Sequence, residues 1–101
     1  MNFKKKGTFL FPRISIFRSN KEIYVQVIDD INNKTIASYS SLKIKNKKLT
    51  KIEYSKKVGY KLAKIMLKKN IKKAFFDRKK YIYHGRIKNL IEYIRKGGII
   101  I

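Results

Sequence analysis

The stretch Phe76-Asp77-Arg78-Lys79-Lys80-Tyr81-Ile82-Tyr83-His84-Gly85-Arg86 packs three aromatics, the lone histidine and two of the five arginines into eleven residues. Cations beside flat rings, ending in His-Gly-Arg where a helix is expected to begin, suit a surface that grips phosphates and stacks on nucleotides. The same residues also fit an ordinary strand-to-helix connection whose rings fill the core. Residue types alone leave both readings open.

Acid–base chemistry has little to work with. Asp29-Asp30 is the only adjacent carboxylate pair, and it sits in a turn signal, where aspartate is favoured for bonding its own backbone. His84 has no neighbouring carboxylate or nucleophile arranged as a triad, although Asp77 could approach it in space. A nuclease using Asp29, Asp77 and a divalent metal is the enzymatic rival, because a mixed sheet flanked by helices also suits nucleases. There is no G-x-S-x-G, no P-loop and no metal motif, so no catalytic residue is expected. Absence of cysteine removes disulfides and thiolate zinc sites. One histidine and six scattered carboxylates argue against a metal cage. No cofactor and no small-molecule substrate are expected.

Charge points elsewhere. Across 101 residues, 27 lysines and arginines face six acids, a formal net charge of +21. Such an excess repels itself in a compact monomer and calls for a polyanion: RNA, DNA, an acidic membrane surface or an acidic protein. No apolar run approaches the roughly 20 residues that span a bilayer, so no membrane partner is expected. The N-terminal Met1-Asn2-Phe3-Lys4-Lys5-Lys6 leads into too short an apolar patch for a signal peptide and reads as a basic arm. Lysine makes up 22 of the 27 cations, a skew that an AT-rich coding sequence would produce whatever the function. The arginines, whose planar fork lysine cannot replace, are the better pointers to specific contacts. The runs at Lys43 to Lys48, Lys56-Lys57, Lys68-Lys69 and Lys72-Lys73 together suit neutralisation by phosphates with counterion release.

The elements that must position these residues follow from periodicity. Ile14 and Ile16 alternate with Ser15 and Phe17, and Ile23, Val25 and Val27 with Tyr24, Gln26 and Ile28, which predicts two half-buried strands. Ser19-Asn20-Lys21 reads as the turn of an antiparallel hairpin, and Asp29 to Asn33 as a second turn leading to a third strand near Thr35 to Ser41. Thr50-Lys51-Ile52-Glu53 matches a capping box. It opens an amphipathic helix with Ile52, Val58, Gly59, Leu62, Ile65 and Met66 on one face and Asn70 as a left-handed terminator. Ile71 to Asp77 reads as a strand parallel to a neighbour, and Gly85 to Lys96 as a second helix ended by Gly97-Gly98. Ile99-Ile100-Ile101 either adds an edge strand or covers the core. The fold class is α/β (α+β): a single compact domain of order βββαβα, a mixed sheet with helices packed against it.

Tyr24, Tyr81, Tyr83 and Phe17 fall where they can project from the sheet or its end as stacking platforms. Phe75, Phe76 and about half of the tyrosines fit the core equally well. No helix-turn-helix, zinc finger or RNP signature is present.

Several segments carry a resemblance: Arg13-Ile14-Ser15-Ile16-Phe17-Arg18-Ser19-Asn20-Lys21 with the strand through Asp30, Thr35-Ile36-Ala37-Ser38, Val58-Gly59, Ala74-Phe75-Phe76-Asp77-Arg78 and Tyr81-Ile82-Tyr83-His84-Gly85-Arg86. In this order and spacing they resemble the bacterial-type large-ribosomal-subunit protein L-eighteen family, which binds 5S ribosomal RNA. The resemblance implies a non-catalytic α/β domain over residues 13–101, preceded by the basic arm at 1–12. It implies docking on 5S rRNA and seating of that RNA beside 23S rRNA and neighbouring large-subunit proteins, in the central protuberance. It places the protein in the ribosome, in the cytoplasm or in an organelle. A non-specific basic RNA-binding protein is the alternative.

Carried over by position, Arg18, Ser19, Asn20 and Lys21 would face RNA at the hairpin turn, with Tyr24 and Gln26 on the adjoining strand. Ser38, Ser40 and Ser41 would continue that surface. Arg78, Tyr81, Tyr83, His84, Gly85 and Arg86 would clasp the backbone, and Arg13 and Lys88 complete the RNA-facing set. Lys43 to Lys48 is short and lysine-rich for the family, and Lys79-Lys80 stands where small residues are common.

Overall fold

Alternating β-branched and polar residues build a meander of β1 (Arg13–Arg18), β2 (Ile23–Asp29) and β3 (Lys34–Ser40), each pair antiparallel. The computed structural model describes residues 6–19, 22–77 and 85–101. After β3 come a 3-10 turn over Ser41–Lys43, helix α1 (Lys51–Lys68), a short β4 (Phe75–Phe76) and helix α2 (Gly85–Lys96). The sheet runs β3-β2-β1-β4, with β4 parallel to β1. This is the expected order βββαβα in one mixed sheet.

Two boundaries differ from the sequence expectation. The strand expected over Ile71 to Asp77 pairs with β1 only at Phe75 and Phe76, while Lys73 forms an isolated parallel bridge with Ile100. The chain after α2 pairs along the edge of this segment that faces away from β1: Ala74 donates to the Ile100 carbonyl at 3.0 Å and Ile100 donates to that of Lys72 at 2.9 Å, whereas the Phe75 and Asp77 amides bond the Pro12 and Ile14 carbonyls. Ile99 meanwhile is buried, so the C-terminal isoleucines both pair at the sheet edge and cover the core. The third strand starts one residue early and stops at Ser40, because Ser41 turns inward.

Local chemistry fixes the helix ends. Thr50 Oγ1 accepts from the Glu53 amide at 3.2 Å and Glu53 Oε1 accepts from the Thr50 amide at 3.0 Å, closing the capping box. At the other end Asn70 has φ 63°, the Ile71 amide reaches the Met66 carbonyl and the Asn70 amide that of Leu67, a Schellman closure with both Met66 and Ile71 buried. Helix α2 ends the same way, with Gly98 at φ 112° and the Ile99 amide on the Ile94 carbonyl.

The core lies between one face of the sheet and the two helices. Ile14, Ile16, Val25 and Val27 meet Val58, Leu62, Met66, Leu90, Ile91 and Ile94 there, each fully buried aliphatic contributing about 1.5–3 kcal/mol. Helix α1 packs across β2 and β3 and against α2. The helices approach closely at Gly59, where a Cβ would stand 2.4 Å from the Leu90 carbonyl oxygen. No described helix crosses the opposite face of the sheet.

Candidate nucleic-acid interface

That opposite face is a small grid set by strand register. Phe17 pairs with Tyr24 and Tyr24 with Ser40; one step along, Ser15 pairs with Gln26 and Gln26 with Ser38. Side chains on one face recur every second residue, so all six share the side away from the helices. Phe17 and Tyr24 are exposed, with ring centroids 6.3 Å apart and planes tilted by 36°. Gln26 Nε2 donates to Tyr24 Oη at 3.4 Å. Gln26 and Ser38 are half-buried, Ser15 and Ser40 buried. The face thus offers aromatic rings, an amide and, at Ser38, a hydroxyl, groups that meet bases and sugars, while Ser40, expected to continue the RNA-facing surface, is buried.

A second cluster sits where the hairpin meets α2. Arg18 closes β1, the Ser19 amide donates to the Glu22 carbonyl at 2.9 Å, and Ser19 Oγ accepts from the Glu22 amide at 3.2 Å. Arg86 Nη2 then donates to the Ser19 carbonyl at 3.0 Å. Burial, and next the nearby positive charge of Arg18, push the Arg86 guanidinium below its ordinary pKa, though arginine stays protonated throughout the physiological range. Positive charge from two parts of the chain is thus concentrated at this edge of the hairpin. Gly85, at φ +55° with open space where a Cβ would point, begins α2 beside them.

Other expected site residues lie elsewhere. Ser41 does not continue the sheet surface: it is buried, its hydroxyl donates to the Glu22 carboxylate and accepts from the Ile23 amide at 3.0 Å. Arg13 stands at the far end of β1, about 17 Å from Arg18 at strand rise. Its Nε and Nη2 donate to Asp30 and its Nη1 to Asp77, all at 3.0 Å. Lys88 is exposed two positions beyond Arg86, about 200° around the helix and so on another face. Asn20, Lys21, Arg78, Tyr81, Tyr83 and His84 lie outside the described residues. Phe17 and Ser15 join the sheet grid without having been carried into the expected site set; their parity with Tyr24 and Gln26 is the signal that finds them.

The acids are committed internally. Glu22 serves Ser41, Asp29 caps Asn32, Asp30 holds Arg13 and the Gly7 amide, Glu53 closes the capping box and Asp77 takes Arg13. Five of the six carboxylates therefore serve turns, caps and one arginine. Asp29 and Asp30 act as turn residues, and no group of three metal-ligating side chains occurs among the described residues.

A cationic α/β body whose helix-free sheet face carries exposed aromatic rings and an amide fits the class of basic proteins that bind polyanions. A family model described as ribosomal L18 of archaea, bacteria, mitochondria and chloroplast matches residues 2–101, and the chain belongs to that family. Large ribosomal subunit protein uL18 of Bacteroides fragilis is 48% identical over 96 residues, spanning 95% of this chain and 83% of that protein. The uL18c proteins of Phaeodactylum tricornutum and Gracilaria tenuistipitata var. liui are each 48% identical, over 93% and 98% of this chain and 73% and 98% of their own lengths. The protein is a structural constituent of the large ribosomal subunit, not an enzyme, and resides in the ribosome of a cytoplasm or an organelle.

Proposed function

We propose that the protein binds 5S rRNA through the hairpin end, the start of α2 and the bare sheet face, and helps attach that RNA to 23S rRNA in the central protuberance. Residues 13–101 form the binding domain and residues 1–12 the basic arm, which Gly7 anchors through its amide on Asp30 Oδ2 at 2.7 Å. The observation that carries the reading is the junction of Arg18, Ser19 and Arg86, where two arginines from distant parts of the chain meet at one edge of a stacking face. Arginine forks neutralise and orient phosphates, Tyr24 and Phe17 receive an exposed base, and Gln26 and Ser38 bond sugar or base edges. Arg13, held by two carboxylates, braces the sheet at its other end.

Competition filter binding tests it, with labelled 5S rRNA against transfer RNA and duplex DNA at near-physiological salt. Preference for 5S rRNA is expected. Equal affinity and equal salt slope for all three would instead identify a non-specific coating protein.

A further inference from the structure

Three tyrosines from three elements, Tyr39 of β3, Tyr60 of α1 and Tyr93 of α2, converge on one open groove of about 460 Å³. Tyr39 pairs with Val25, so the groove lies on the helical side, away from Tyr24. Lys56, Lys57 and Lys61 line it and no carboxylate does. Helical spacing puts them there: Lys56 and Tyr60, and Lys57 and Lys61, stand four residues apart on α1, beside the face that it buries.

Each ring carries an ammonium over it. Lys56 and Lys96 Nζ stand 5.5 and 4.5 Å from the Tyr93 centroid, Lys64 4.8 Å from that of Tyr60 and Lys43 5.6 Å from that of Tyr39. Exposed cation–π pairs of this kind are weak, and lysine is a mobile, strongly hydrated point charge, so the pairs exchange readily. A nucleobase can take the ring face while the displaced ammonium meets the adjoining phosphate. An acidic peptide would satisfy the lysines and leave the rings without a flat partner.

We infer that this groove holds a single-stranded RNA segment, its bases on Tyr60 and Tyr93 and its phosphates on Lys56, Lys57 and Lys61. The protein then grips RNA on two opposite sides. The inference borrows from the proposed function only the class of partner.

The test titrates the full-length protein with a short oligouridine and, separately, with 5S rRNA, then maps crosslinks from a 4-thiouridine version of the oligonucleotide. Changing both Tyr60→Leu and Tyr93→Leu is expected to weaken oligouridine binding about tenfold or more, the scale of lost base stacking. Tyr60→Phe with Tyr93→Phe should retain it, and crosslinks should fall on Tyr60 or Tyr93. Arg18→Ala with Arg86→Ala should weaken 5S binding and spare oligouridine, so the two readings fail separately. Wild-type oligouridine affinity in the leucine variant, crosslinks confined to the Tyr24 face, or displacement by a glutamate-rich peptide in preference to oligouridine would each overturn the inference. Should the leucine variant unfold, Lys56→Gln with Lys57→Gln and Lys61→Gln carries the same expectation, and undiminished binding there overturns it.

Discussion

Arg86 donates from Nη2 to the backbone carbonyl of Ser19 at 3.0 Å, joining positions 67 apart in the chain. The bond ties the start of α2 to the end of the hairpin. Because the acceptor is a main-chain carbonyl, the contact leaves the guanidinium charge unneutralised and available to an anion.

Removing either arginine should therefore register on RNA rather than on the fold. Arg18→Ala and Arg86→Ala are each expected to weaken 5S rRNA binding by about 1–3 kcal/mol, the range for lost charge-assisted hydrogen bonds. Filter binding measures the loss, and thermal melting of each variant shows whether the fold is intact. Unchanged affinity with both arginines gone would refute their role.

Salt should act strongly on the same equilibrium. If roughly 6 to 10 phosphates are neutralised, affinity should fall by about three to five decades between 50 and 200 mM salt. A flat dependence on ionic strength, measured with the same assay, would contradict a phosphate-dominated interface.

The meander was legible because alternation of Ile, Val and polar residues admits only one face for the core, and the Thr50/Glu53 spacing announced α1 to the residue. The short β4 was not: the segment 71–77 reads as one strand, yet it pairs with β1 only at Phe75 and Phe76, and Ile100 from the end of the chain bonds its other edge at Lys72 and Ala74. Sequence placed Arg18, Tyr24, Gln26 and Arg86 in the candidate interface by resemblance, and the register and the Ser19 bond show how they sit together. Ser41 misled because it follows Ser38 and Ser40 in a serine run, and only its burial and its bonds to the Glu22 carboxylate and the Ile23 amide reveal its inward turn. Arg13 could not be sorted from the other arginines until Asp30 and Asp77, 17 and 64 positions away, were seen to hold it.

Asp30 is a stability determinant with a pH signature. Its bonds to Arg13, and then to the Gly7 amide, hold its carboxyl below the ordinary aspartate range. A depressed folded pKa stabilises above the unfolded value near about 3.9 and loses that contribution as pH falls through the lower folded value. Asp30→Asn should cost about 1–3 kcal/mol at neutral pH. Urea unfolding of the two proteins should differ at pH 7 and converge in acid; a gap that persists at low pH would exclude the ion pair as the cause.

Gly59 should tolerate no side chain. Its Cβ would lie 2.4 Å from a backbone oxygen of α2 and 3.3 Å from the Ile94 amide nitrogen, so Gly59→Ala must push the helices apart. A loss of about 1–3 kcal/mol is expected, as for other overpacked sites, and a lowered melting temperature is the measurement.

Thr50→Ala removes one half of the capping box and should cost about 1 kcal/mol. Urea unfolding reads the loss. Affinity for 5S rRNA should stay at the wild-type value, since the Thr50 hydroxyl bonds the Glu53 amide and no residue of the candidate interface.

The strand order also bears on solubility before assembly. With β4 shielded by the Ile100 chain, β3 is the long margin of the sheet among the described residues, the kind of template on which a second copy could add its own strand. Such stacking would bring two bodies of charge +21 to a strand spacing of about 4.8 Å. Mutual repulsion opposes that approach, so the same charge that calls for a polyanion also disfavours pairing of two copies edge to edge.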